Sequence, residues 1–286
     1  MGRNNKNDKE ISYISDILIS KNHPVLMTSE FNAIVQKNKP STSTIKKIKD
    51  DLQKNGIIKN VTLRSEGYKD IDRIIIPPLN PSPYHYAISI RNGTYLSHSS
   101  SMNLLGLTQQ IPKVIYVNKE QSPKKKSFEP LIQESIDRAF LNQQRRSKYI
   151  FKIENYQIIL LSGKSSNNAG VEIDEVLNVP RTCLERTLID ITVRPRYAGG
   201  VFKVLEAFKS SIHDIDYSKI LAYLNQLDYK YPYHQSIGFY LERAGAKASK
   251  LKLFSDLGIK YNFYLDYAIA SPMFDNSWRV YFPLGI

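Results

Sequence analysis

Apolar residues recur along the first 76 positions with two different periods. Ile11, Ile14, Ile17 and Leu18 share one face at helical spacing, and the pattern stops at Asn22, His23 and Pro24. Thr28 and Ser29 offer caps, with Glu30 in the first turn, for a second helix through Phe31, Ile34 and Val35. A third helix follows Pro40, with Ser41 to Thr44 as caps, an apolar stripe of Ile45, Ile48 and Leu52, and Asn55 and Gly56 at its end. With that stripe buried, Ser43, Lys46, Lys47, Asp50 and Lys54 are expected to face outward. Ile57 to Leu63 and Arg73 to Ile76 then read as two strands around the polar turn Arg64 to Asp70, the form of a β-hairpin wing.

Helices followed by a hairpin form the order of a winged helix-turn-helix, so the third helix is expected to be the recognition helix. On this reading Ser41, Thr42, Ser43, Lys46 and Lys47 approach base edges and phosphates, and Lys54, Arg64 and Lys69 add phosphate contacts. The competing reading is a solvated face on a protein-docking module.

Pro77, Pro78, Pro81 and Pro83 interrupt the pattern and place a domain boundary, giving a DNA-binding domain at 1–78 and a larger mixed α/β domain at 79–286. The expected fold class is α+β. In the second domain Tyr84 to Ile90 reads as a strand, Ser97 to Leu105 as a helix capped by Ser97, and Val114 to Val117 as a strand. Asn118 to Ser127 reads as a solvated loop. Ser162 to Gly170 reads as a polar turn between strands at Gln157 to Leu161 and Val171 to Val176.

Charge adds to this picture. The 286 residues carry 40 Lys or Arg against 27 Asp or Glu, a formal net charge of +13, which favours polyanionic partners. Residues 1–76 hold 14 basic and nine acidic residues, whereas Lys113 to Lys152 hold ten basic and four acidic. Lys124, Lys125, Lys126, Arg145 and Arg146 in the latter stretch are therefore candidate phosphate contacts, with a solvated loop and helix face as the alternative. No apolar run has the length of a membrane span and the first ten residues lack a secretory apolar core, so a cytoplasmic protein without a membrane partner is expected. One cysteine, Cys183, excludes an internal disulfide.

Three segments resemble AbiEi-type antitoxins, the regulators of abortive-infection, type IV toxin-antitoxin systems. The first is Tyr95, Leu96, Ser97, His98 with Ser101, Leu104 to Leu107 and Ile115 to Val117. The second is Thr182 to Asp190, including Glu185, Arg186 and Asp190, with Pro195, Tyr197, Gly199 and Gly200. The third is Ser236 to Leu241. Ser101 and Met102 stand where an Ala-Leu pair is common in that family. The resemblance implies a winged helix that binds inverted repeats in the double-stranded DNA of its own promoter, and a second domain needed for antitoxin action and cooperative repression; a dimer on that DNA is one arrangement that such repeats allow, and the sequence does not give the oligomeric state. It also implies a neighbouring nucleotidyltransferase toxin as functional partner.

Catalytic chemistry has weaker support, and the expectation is a regulator rather than an enzyme, bacterial and without cofactor or metal. Gly163, Lys164 and Ser165 end like a P-loop, but the required earlier glycine is Ile158. The five histidines show no paired ligand spacing. Ser97 and His98, as helix neighbours, would point about 100° apart and form no nucleophile–base pair. Glu185 and Asp190 flank Arg186; the alternatives are an acid pair in a cleft, as in a nucleic-acid-modifying enzyme delivered by the winged helix, or an ion pair with Arg186, Arg194 or Arg196. Trp278, Tyr261, Phe263, Tyr264 and Tyr267 read as strand residues of a core or interface. A regulator unrelated to toxins is the remaining alternative, which the identity of the adjacent gene separates.

Overall fold

A computed structural model of the chain describes residues 2–39, 43–123 and 129–286, with side chains from residue 9 onward. It is a mixed α+β fold. The first elements are α1 (Gly2–Ser20), β1 (Val25–Met27), α2 (Thr28–Asn38), α3 (Ile45–Lys54), β2 (Lys59–Ser65) and β3 (Ile71–Ile75). Ile11, Ile14 and Leu18 of α1 meet Phe31 and Val35 of α2, Ile48 and Leu52 of α3, and Ile58, Ile74 and Ile76 around the hairpin in one apolar core. These are the positions that the helical and alternating patterns mark.

Capping departs from expectation at α2. The helix starts at Thr28 with Met27 in the cap position, whose N–H donates to Glu30 Oε2 at 2.9 Å. The cause is β1, which pairs antiparallel with β3 and leads straight into the helix. At α3 the cap is Thr44, whose hydroxyl accepts from the Lys47 N–H at 3.2 Å. Gly56 follows the helix with φ +69°, a conformation that suits glycine.

Beyond the hairpin come α4 (Pro83–Ile88), β4 (Tyr95–Leu96), α5 (Ser99–Leu104), β5 (Val114–Glu120), α6 (Gln133–Phe140), β6 (Ile150–Ile153), β7 (Tyr156–Gly163), β8 (Val171–Ile173) and β9 (Pro180–Thr182). The last part contains α7 (Leu184–Val193), α8 (Val201–Ser211), α9 (Tyr217–Leu227), α10 (Tyr233–Arg243), α11 (Ala248–Ser255), β10 (Phe263–Tyr264), β11 (Met273–Asp275) and β12 (Val280–Phe282).

One sheet joins both halves of the chain, in the order β1-β3-β2-β6-β7-β5-β4-β9-β8. The hairpin's outer strand pairs with β6, setting Arg64 opposite Lys152 and Ser65 opposite Phe151. Alternation along β3 and the residue after it divides the side chains between two cores: Ile74 and Ile76 enter the first, and Ile75 enters a second with Leu63, Ile115, Phe151 and Ile158. Arg73 also crosses the proline-rich junction, donating from Nε to the Ser89 carbonyl at 2.7 Å and from Nη2 to that of Ile90 at 2.9 Å.

Two local expectations are corrected. Tyr84 to Ile88 is helical, within α4, and Ser89 and Ile90 form the turn after it, because Ser82 occupies the cap position with Pro83 at the first turn, a helix start signal. Asn118 to Glu120 belong to β5 rather than to a solvated loop, and Asn118 is buried. The largest core gathers α7 to α11 and β12, with Leu188, Phe208, Ile237 and Tyr240 fully buried. Cys183 is buried at the start of α7. Trp278 lies directly on Gly238 of α10, where a Cβ would overlap its ring.

Candidate functional site

On the first half of the chain, Lys46, Lys47 and Lys54 are exposed on α3, opposite Ile48 and Leu52. Arg64 and Lys69 are exposed on the hairpin. Ser43 does not join them: it is buried and donates from its hydroxyl to Glu10 Oε2 at 3.2 Å. It precedes the helix, so the α3 stripe does not set its direction, and a contact with α1 does. Ser41, Thr42, Lys124, Lys125 and Lys126 lie outside the described residues.

On the second half, a cleft of about 1080 Å³ opens where the parallel strands β5 and β7 end, bounded by α7, the start of α9's C-terminal loop and the hairpin tip. Arg145, Arg146, Lys148, Lys164, Arg186 and Arg194 line it together with Asp190 and Asp228. Lys164 is held by the Asp228 carbonyl and stands 3.9 Å from its carboxylate. Gly163, Lys164 and Ser165 thus reach the cleft, but as the end of a strand and a loop, without the helix that a P-loop requires.

The floor is a buried polar network. Arg186 Nε donates to Asp190 Oδ1 at 2.9 Å, and its Nη1 donates to the Ala169 carbonyl at 2.7 Å and to Ser166 Oγ at 3.2 Å. Asn118 donates to the Tyr95 hydroxyl at 2.6 Å, and that hydroxyl donates to Glu120 Oε1 at 3.3 Å. Glu120 also accepts the Ser166 hydroxyl and the Ser166 N–H, the latter at 2.7 Å. Burial opposes ionisation of Glu120, but the bonds from Ser166 and Asn168 and the charge of Arg186 outweigh it and hold the carboxyl below its usual range. Burial likewise disfavours the Arg186 charge, and Asp190 and its neighbours overcome it, so the guanidinium is held more firmly protonated than usual.

Of the two alternatives for Glu185 and Asp190, the structure has the ion pair, between Asp190 and Arg186, and the two carboxylates lie apart. Asp190 lines the cleft, bound to Arg186, whereas Glu185 accepts the Asp216 N–H at 3.1 Å and anchors the start of α9. Arg196 pairs instead with Asp266 at 3.5 Å. Among the described residues no group of three or more His, Cys, Asp or Glu is placed to hold a metal ion.

Ser97 is not a helix cap. His98 occupies that position, with φ +53°, and its Nδ1 lies 2.9 Å from Ser97 Oγ. The two residues form a turn between β4 and α5 rather than successive helix positions, so the side chains meet despite adjacency. Ser97 is fully buried, which leaves its hydroxyl enclosed rather than open to substrate. His98 packs edge-on against Tyr197, with centroids 5.3 Å apart, and burial pushes its pKa down to about 4.

Sequence reasoning did not find Tyr95, Asn118, Glu120, Ser166 or Tyr197 as parts of one site. They come from separate strands, a loop and the turn after α7, and only the fold brings them together. No family model matches the chain, and no curated protein matches it in sequence. The likeness found is one of fold. The crystal structure of the RV2827C protein from Mycobacterium tuberculosis has a TM-score of 0.56 to this chain at 12% sequence identity, covering 96% of this chain and 91% of that one. Both halves of the chain therefore belong to one shared arrangement. No helix among the described residues is long and apolar enough to cross a membrane.

Proposed function

We propose that the protein is a DNA-binding transcriptional regulator, acting as antitoxin and autorepressor of a bacterial type IV toxin-antitoxin operon. The observation that carries the reading is α3: capped by Thr44, anchored by Ile48 and Leu52, and showing Lys46, Lys47 and Lys54 to solvent. The helices, the short strand and the β2–β3 hairpin support reading this part as a winged helix, in which such a helix enters the major groove. Lys46 and Lys47 then approach base edges and phosphates, and Arg64 and Lys69 reach the flanking backbone. A dimer would present two such helices to an inverted repeat.

The antitoxin role rests on the resemblance of the Tyr95–His98, Glu185–Asp190 and Ser236–Leu241 segments to AbiEi-type proteins. The partner opposed is a nucleotidyltransferase toxin, and the binding partner is double-stranded promoter DNA. An enzyme reading would need Glu185 and Asp190 in one cleft, and Glu185 is instead engaged with Asp216.

Fluorescence anisotropy with a duplex from upstream of the gene tests the DNA reading. The expected result is an affinity that falls linearly on a logarithmic salt scale, each neutralised phosphate adding about 0.9 to the slope. Equal affinity for promoter and unrelated duplex at every salt concentration would overturn it. Co-expression with the adjacent gene product tests the antitoxin role, with restored growth expected.

A further inference from the structure

The cleft beside α7 holds more positive charge than the protein itself neutralises. Arg186 is paired with Asp190 and Lys164 with Asp228, but Arg145, Arg146, Lys148 and Arg194 also line it and form no ion pair among the described residues. Four unneutralised cations converging on one concavity repel one another, and an anion with several charges relieves that repulsion.

Two further features narrow the ligand. At the rim, Tyr68 and Tyr149 are stacked with centroids 4.4 Å apart and remain 44% and 42% exposed, a flat aromatic surface still open to a ring. Deeper in the lining, Tyr197 is 7% exposed, and its buried hydroxyl has no hydrogen-bond partner among the described residues, leaving an unmet polar group beside the cleft. The volume, about 1080 Å³, is close to the upper end of the roughly 300–1,000 Å³ of small-molecule sites. A nucleic-acid duplex could touch only the rim of such a cleft; one nucleotide could occupy it.

We propose that the cleft binds a nucleoside polyphosphate, with its phosphates on Arg145, Arg146, Lys148 and Arg194 and its base against the Tyr68–Tyr149 pair. Phosphate contacts supply charge neutralisation, with arginine forks gripping two oxygens at once, and the aromatic pair supplies stacking without base specificity. Because Tyr68 sits at the hairpin tip and Tyr149 beside β6, the ligand would touch both halves of the chain at their junction. The proposal does not depend on DNA binding by α3.

Calorimetric titration of the full chain with ATP, GTP, inorganic tripolyphosphate and a six-nucleotide single strand is the test. The expected result is saturable one-to-one binding of ATP or GTP, tighter than tripolyphosphate. Arg145→Ala with Arg146→Ala should weaken it at least tenfold, and so, separately, should Arg194→Ala. Tyr149→Ala should weaken nucleotide but not tripolyphosphate binding. Lys219→Ala with Lys252→Ala, both exposed and outside the cleft, should leave affinity unchanged, as should Lys46→Ala with Lys47→Ala. Absence of saturable nucleotide binding would overturn the proposal. So would equal losses in the Lys219 and Lys252 control, tripolyphosphate binding as tightly as either nucleotide, or the short strand binding more tightly than both.

Discussion

Tyr68, at the tip of the hairpin, stacks on Tyr149 of the second half of the chain with an interplanar angle of 23°. The contact closes a joint that begins with the pairing of β2 and β6 and continues through the Glu66 N–H, which donates to the Ile150 carbonyl at 3.2 Å. An ion pair between Glu66 and Lys152 completes it, though both side chains are about half exposed and such pairs contribute little. Hydrogen exchange of Tyr149→Ala should show the amides of residues 64–72 exchanging a few-fold faster, with the α1–α3 core unchanged. Unaltered exchange at the hairpin would mean that strand pairing alone holds it.

The Arg186–Asp190 pair is buried, with side chains 2% and 7% exposed. Arg186→Met leaves the carboxylate without its partner and removes the bonds to Ala169 and Ser166, so a loss of roughly 3–5 kcal/mol is expected by urea unfolding. Arg186→Met with Asp190→Leu should recover most of that loss. A double variant as unstable as the single one would show that packing, not the orphaned charge, sets the cost.

Acid should destabilise the fold through His98. Burial is the main cause of its depressed pKa of about 4; Asp190 acts in the opposite sense, while Arg194 and Arg186 reinforce it. The unfolded chain takes up this proton below about pH 6.5 and the folded chain does not, so the stabilisation is whole above that pH and declines as pH falls toward 4. Burial lowers His85 and His234 in the same direction. Glu120 and Asp174, held below the usual carboxylate range, lose their contribution in a more acid window. His98→Asn removes the titration and tolerates positive φ, and should shrink the stability difference between pH 7 and 4.5 by on the order of 1–3 kcal/mol. An unchanged difference would place the acid sensitivity elsewhere.

Gly238 carries Trp278 on its face, with no room for a methyl group. Gly238→Ala should cost about 1–3 kcal/mol through overpacking and shift the emission of the single tryptophan as its ring moves. Stability and emission equal to those of the natural chain would show that α10 and the β11–β12 segment slide apart without cost.

The sequence made the first core legible because its helices and hairpin each obey one period: Ile48 and Leu52 at helical spacing and Ile74 and Ile76 by alternation are buried as the pattern requires. Ser43 was misread because a residue before the first turn takes its direction from the neighbouring helix, not from the stripe. Three-residue β1 is too short to show alternation, and the Ser82–Pro83 start of α4 was masked by a run of Tyr and Ile that also suits a strand. The cleft was legible only in its charges. Arg145 and Arg146 stood out, whereas Tyr95, Asn118, Glu120 and Ser166 become a network only when β4, β5 and the loop after β7 meet α7. The Ser97–His98 contact depends on the positive φ of His98, which side-chain periodicity does not report.

The proposed function turns on DNA recognition by α3. The most direct measurement is an electrophoretic shift of the natural chain and of the Lys46→Ala, Lys47→Ala double variant on the promoter duplex and on an unrelated duplex, at two salt concentrations. A salt-sensitive, promoter-specific complex is expected, lost in the double variant at unchanged stability, whereas Ser43→Ala, altering a buried contact with Glu10, keeps it. A double variant that binds the promoter as tightly and as selectively as the natural chain would contradict it.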